Sequence, residues 1–135
     1  MQRRDFIEKT GIACVGILAG GGLLSSCTPL YYAQYSIEDN RIKIAKTEFV
    51  EHDYVIIKNE KLPAPIYVLK TEEVYTAVLM LCTHKACEVT PFGQELHCPC
   101  HGSEFDNTGT VLKGPAEEPL KKFKIESDDR NLFIS

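Results

Sequence analysis

The sequence predicts an all-β fold, a small antiparallel sandwich or barrel. Short runs rich in β-branched and aromatic residues recur along the chain after residue 40. Turn-type residues separate them, and no stretch sustains the apolar period of an amphipathic helix. Residues 41–44 (RIKI) alternate polar and apolar. Residues 54–57 (YVII), 66–69 (IYVL) and 75–81 (YTAVLML) are strand candidates bounded by Pro63-Ala64-Pro65 and Thr71-Glu72-Glu73. Residues 95–98, 123–126 and 132–134 complete the set, and Asp128-Asp129-Arg130-Asn131 reads as a hairpin turn between the last two. No internal repeat or low-complexity segment is visible.

The chain has 135 residues, 44% apolar and 25% charged, which fits one ordinary globular domain. A formal net charge of −4 argues against nucleic acid, because a binder needs a basic stripe for phosphates. Residues 1–26 read as an export signal rather than as part of the fold. Arg3-Arg4 followed by Asp5-Phe6-Ile7 resembles a twin-arginine signal. The apolar stretch 11–24 contains five glycines and is too short to span a bilayer, which takes about 20 residues. It exits at Leu24-Ser25-Ser26-Cys27, which resembles a bacterial lipobox with Cys27 as the acylated residue. The domain is then expected on the periplasmic or extracytoplasmic side, held to the membrane by lipid. Residues 27–36, with Pro29, Tyr31, Tyr32 and Tyr35, are expected to form a short lipid-anchored tether. Residues 37–135 form the domain.

Two loops carry the candidate chemistry. Residues 82–87 (CTHKAC) supply C-x-H-x-x-C, and residues 98–103 (CPCHGS) supply C-x-C-H. Each follows an apolar strand, so a rigid scaffold presents both. The offsets C-x-H and C-x-x-H differ from the paired spacings usual in structural zinc sites, although zinc stays the main competing reading. A plain disulfide domain has no use for a histidine in each loop. A thioredoxin-like site needs C-x-x-C, which does not occur here. His52 and His97 are expected to be ordinary surface histidines, with His97 pointing away from the loops along its strand.

The two loops resemble those of Rieske [2Fe–2S] proteins, and the resemblance covers residues 37–135. It implies one [2Fe–2S] cluster, with Cys82 and Cys98 on one iron and His84 and His101 on the other. It implies a disulfide between Cys87 and Cys100, which suits an oxidising compartment and closes a loop worth ~3 kcal/mol in chain entropy. Ferredoxin-type members of the family lack this bridge. Gly114 and Pro115, with Ala116 and Pro119, resemble the family's proline loop over the cluster, and Gly109 matches a family glycine. Two neutral imidazoles in place of two thiolates make the core less negative and raise its potential. Ser103 matches a serine that hydrogen-bonds a bridging sulfide. Phe105 stands where high-potential members place a tyrosine, and Lys85 where quinol-oxidising members carry a leucine.

The resemblance therefore implies one-electron transfer by a membrane-anchored exported carrier. Its partners would be a cytochrome or an oxidoreductase subunit, with quinol as a further candidate. The alternative is an electron-transfer subunit of a larger oxidoreductase. Arsenite-oxidase small subunits resemble the chain in export signal, size and the Phe at position 105. A quinol–cytochrome c reductase subunit is weighed down by Lys85, Phe105 and the short tether. A zinc-binding structural module is the last alternative.

Overall fold

The computed structural model describes residues 29–135. The expected export signal and Cys27 lie outside the described residues. Among the described residues no helix is long and apolar enough to cross a membrane.

The chain runs β1 (Ser36–Glu38), β2 (Arg41–Ala45), a 3₁₀ turn (Lys46–Phe49), β3 (Tyr54–Ile57), β4 (Ile66–Thr71) and β5 (Val74–Leu79). It continues through β6 (Thr90–Phe92), β7 (Glu95–His97), β8 (Glu104–Asp106), β9 (Val111–Lys113), β10 (Lys122–Phe123), β11 (Ile125–Ser127) and β12 (Asn131–Ile134). These make three antiparallel four-stranded sheets, ordered β1-β2-β12-β11, β10-β5-β4-β3 and β6-β7-β8-β9.

The middle sheet is buried on both faces, which explains its nearly continuous apolar strands. One face carries Val55, Ile57, Ile66, Val68 and Ala77, which pack with Ile42, Ile44, Leu132 and Ile134 of the first sheet. The other carries Ile56, Tyr67, Leu69 and Val78, which pack with Leu96 and Phe105 of the third. The first sheet is covered on one side only, so β2 and β12 keep the strict alternation expected of half-buried strands.

The expected strand over 123–126 is two strands in different sheets. Phe123 pairs with Ala77 in the middle sheet, and Ile125 pairs with Ile134 in the first. The intervening Lys124 exchanges backbone hydrogen bonds with Ser135, at 2.9 and 3.0 Å. One chain segment thereby closes a corner of the sandwich. Strand β1 escapes a composition-based reading because it is short and exposed. Its turn is nevertheless written in Asp39-Asn40, both at positive φ (50° and 61°), which these residue types tolerate.

The folded unit begins before the expected boundary at Ile37. Tyr31 stacks on His52 with ring centroids 4.0 Å apart, and its hydroxyl donates to Glu48 Oε2 at 2.8 Å. Ala33 is buried, and its N–H donates to Ile56 O at 2.9 Å.

Candidate metal centre

The two Cys–His loops leave the middle and third sheets at one end of the molecule. The first opens just after β5 and is pinned where Leu81 bridges Glu88. Within it Cys82 N–H donates to Cys87 O at 2.7 Å, and Ala86 N–H to Cys82 O at 2.9 Å. The second joins β7 to β8. Cys98 N–H donates to Ser103 O at 2.8 Å, and Gly102 N–H to Cys98 O at 3.1 Å. Gly102 sits at φ +78°, a turn geometry that its missing Cβ permits.

These backbone bonds sort the side chains by depth. Cys82 and Cys98 lie at the loop bases, 3% and 2% exposed. His84 is half-buried and His101 is exposed. Their rings meet edge-on with centroids 4.8 Å apart. Cys87 and Cys100 form a disulfide between the loops, as the resemblance implies. The sulfurs of Cys87, Cys98 and Cys100 lie within 4.8 Å of one another. Cys82 and Cys98 are the free cysteines among the described residues.

Burial pushes the Cys82 thiol up. Hydrogen bonds from the His84 N–H, the Cys98 thiol, the Ser103 hydroxyl and the Lys85 N–H outweigh burial and hold it below an ordinary thiol. The loop thus eases ionisation to the thiolate, which is the metal-binding form. His84 Nδ1 is buried with no hydrogen-bond partner. Such a nitrogen is costly to leave unmade, and a metal ion is one partner that satisfies it. Two thiols, one predisposed to ionise, and a second imidazole beside this orphaned nitrogen fit an iron–sulfur group of mixed ligation.

The surrounding shell holds both predicted and unforeseen contacts. Ser103 is fully buried, and its Oγ accepts the Ala116 N–H at 3.0 Å, tying the second loop to the Gly114–Pro115 segment. Thr83 Oγ1 donates to Glu118 O at 2.6 Å, tying the first loop to the same segment. Neither tie is legible in the sequence, because each joins residues with no periodic or motif relation. Phe105 is fully buried in the apolar cluster that contains Cys82 and Cys98. Gly109 sits at φ +89°, and a Cβ there would lie 3.0 Å from Val78 Cγ1. That glycine lets the β8–β9 turn close onto the middle sheet.

His52 and His97 stay away from the loops' chemistry. His52 stacks on Tyr31, while His97 Nε2 lies 2.8 Å from Glu95 Oε2, with Phe92 against its ring. Lys85, Glu117 and Glu118 are exposed.

A family model described as Rieske [2Fe-2S] domain matches residues 33–124. The cytochrome b6-f complex iron-sulfur subunit of Chlorobaculum tepidum is 36% identical over 147 aligned positions, covering 99% of this chain and 75% of that one. Subunit 2 of the same name from Nostoc sp. is 43% identical over 56 residues, 40% of this chain and 32% of its own. The chain thus spans about a third of the length of that cyanobacterial relative. The crystal structure of a cyanobacterial plasma membrane Rieske protein from Synechocystis PCC 6803 superposes with a TM-score of 0.57 at 28% identity, covering 67% of this chain and 94% of that one. A family model over most of the chain and a relative 36% identical over three quarters of its own length agree: the chain belongs to the Rieske [2Fe–2S] domain family.

Proposed function

We propose that this chain transfers single electrons as the iron–sulfur subunit of a membrane complex of the quinol–cytochrome c oxidoreductase type, anchored extracytoplasmically through acylated Cys27. The observation that carries the reading is the graded burial of four side chains, thiols inside and imidazoles at the rim. Cys82 and Cys98 would hold one iron, His84 and His101 the other. When bound, the cluster stores one electron at a potential raised by its neutral ligands.

The chain's own residues do the rest. The buried bases of both loops keep water from the thiolates. If the inward-facing His84 Nδ1 ligates iron, the ring proton is left to Nε2. His101, exposed beside it, offers a partner a short path to the site. The Cys87–Cys100 bridge and the ties through Ser103 and Thr83 hold the loops against the proline segment.

Residues Lys85 and Phe105 favour a lone carrier or an arsenite-oxidase-like small subunit. The Chlorobaculum relative, matched along nearly the whole chain, favours a subunit of a b6-f-like assembly. The test is purification from solubilised membranes, with EPR-monitored redox titration. A Rieske-type spectrum that co-purifies with a quinol-oxidising cytochrome is expected. His101→Cys should lower the potential or lose the cluster, because a thiolate adds negative charge. A wild-type spectrum and potential in that variant would remove His101 from the ligand set. A carrier that purifies alone, with no quinol–cytochrome c activity lost from the membranes of a deletion strain, would sink the subunit reading.

A further inference from the structure

We infer that the domain is seated on an anionic lipid surface through Tyr32, Tyr35 and Ile37, flanked by Lys58 and Lys61. This rests on the membrane anchoring proposed above.

The first argument is reach. The chain is fixed to the domain from Tyr31 onward. Tyr31 is held by its stacking on His52 and by the Glu48 hydrogen bond, and its carbonyl accepts the Ile56 N–H at 2.9 Å. Four residue steps separate Tyr31 from Cys27. Fully extended, they span at most ~14 Å. A lipid on Cys27 therefore keeps this corner of the domain beside the headgroups.

The second argument is the chemistry of that corner. Tyr32, Tyr35 and Ile37 are 48%, 37% and 54% exposed. They gather around the loop between β3 and β4. Tyr35 Oη donates to Lys58 O at 3.1 Å. Asn59 and Leu62 line one cleft with Tyr32 and a second with Ile37. Lys58 and Lys61 stand exposed on the same loop as Glu60, and Glu88 also lines the cleft with Tyr32. Tyrosines and an aliphatic side chain beside lysines match the boundary between headgroups and acyl chains. Residues 27–135 carry 12 basic and 17 acidic side chains, a net −5, so an anionic surface repels most of the acylated chain, and Lys58 and Lys61 are the cations that this anchored corner offers it. Each lysine near such a surface strengthens association by about fivefold.

Amine-label footprinting tests this on the full-length holoprotein in vesicles. One set is phosphatidylcholine with phosphatidylglycerol, the other phosphatidylcholine alone, and both are read by mass spectrometry after flotation. Lys58 and Lys61 should be labelled several-fold more slowly on the anionic vesicles than in detergent, with Lys85 and Lys122 unchanged. Tyr32→Ser/Ile37→Ser should float with the vesicles and lose that protection. Protein that floats with Lys58 and Lys61 labelled at the detergent rate overturns the seating and leaves the anchor standing. Protection of Lys85 in their place also overturns it. Protein that fails to float overturns the anchoring and the seating together.

Discussion

Replacing Ser103 by alanine should separate two roles of one hydroxyl. The side chain is fully buried, and its Oγ accepts the Ala116 N–H at 3.0 Å. The same hydroxyl helps hold the Cys82 thiol below its ordinary pKa. Removing it strands a backbone N–H where water cannot reach, and an unmet buried donor costs about 1–3 kcal/mol. In a domain of this size each kcal/mol moves Tm by about 4–8 °C, so Tm should fall by roughly 4–24 °C. The second role bears on the redox centre. A hydrogen bond to the site is stronger in the more negative reduced state, and its loss should lower the potential. A difference of about 1 kcal/mol between redox states corresponds to ~43 mV for one electron. The expected fall is on the order of tens of millivolts within the broad Rieske range of roughly −150 to +300 mV. The assay pairs thermal unfolding with an EPR redox titration, both on protein with the Cys87–Cys100 bridge intact. A drop in Tm at constant potential would confine the hydroxyl to holding the proline segment. No change in either would refute the argument.

Two further outcomes follow from neighbouring residues. Phe105→Tyr places an O–H within the buried cluster that holds Cys82 and Cys98. It should raise the potential by tens of millivolts, since a bond to a charged acceptor is worth ~1.5–3 kcal/mol and only its redox difference counts. An unchanged potential with the cluster intact would show that position 105 does not face a ligand sulfur. Asp106 Oδ1 accepts the Thr108 N–H and hydroxyl, both at 2.8 Å, and the Thr110 N–H at 2.9 Å. Burial pushes this carboxyl up, but those bonds outweigh it and hold it below the ordinary range. Its stabilisation is therefore present above the unfolded pKa of about 3.9 and is lost as pH falls through the lower folded value. Asp106→Asn should cost at most about 1 kcal/mol at pH 7, because solvent screens the partly exposed carboxylate. It should also flatten the acid limb of a urea-melt profile, and an unaltered acid limb would exclude Asp106 as its source.

The all-β class and the two Cys–His loops were legible in the sequence because their causes are local. Strand-forming residues alternate or cluster over a few positions, as in residues 41–44 and 54–57. Ligand types recur at fixed short spacings in residues 82–87 and 98–103. Strands β1, β6, β8 and β9 carry no such local signal. Each is three residues long, and β8 and β9 surround an Asp106–Thr110 turn whose stability lies in side-chain-to-backbone bonds. The switch of residues 122–127 from one sheet to another was also invisible, since it depends on which partner strand lies beside each half. Tertiary structure alone decided the depth of each ligand side chain, the orphaned His84 Nδ1 and the two ties onto the proline segment. It also decided that the chain is locked to the domain from Tyr31 rather than from Ile37. The physical reason is one of range. Propensity and motif spacing act over a few bonds of chain, whereas burial, hydrogen-bond satisfaction and ring stacking depend on residues brought together only when the sheets pack.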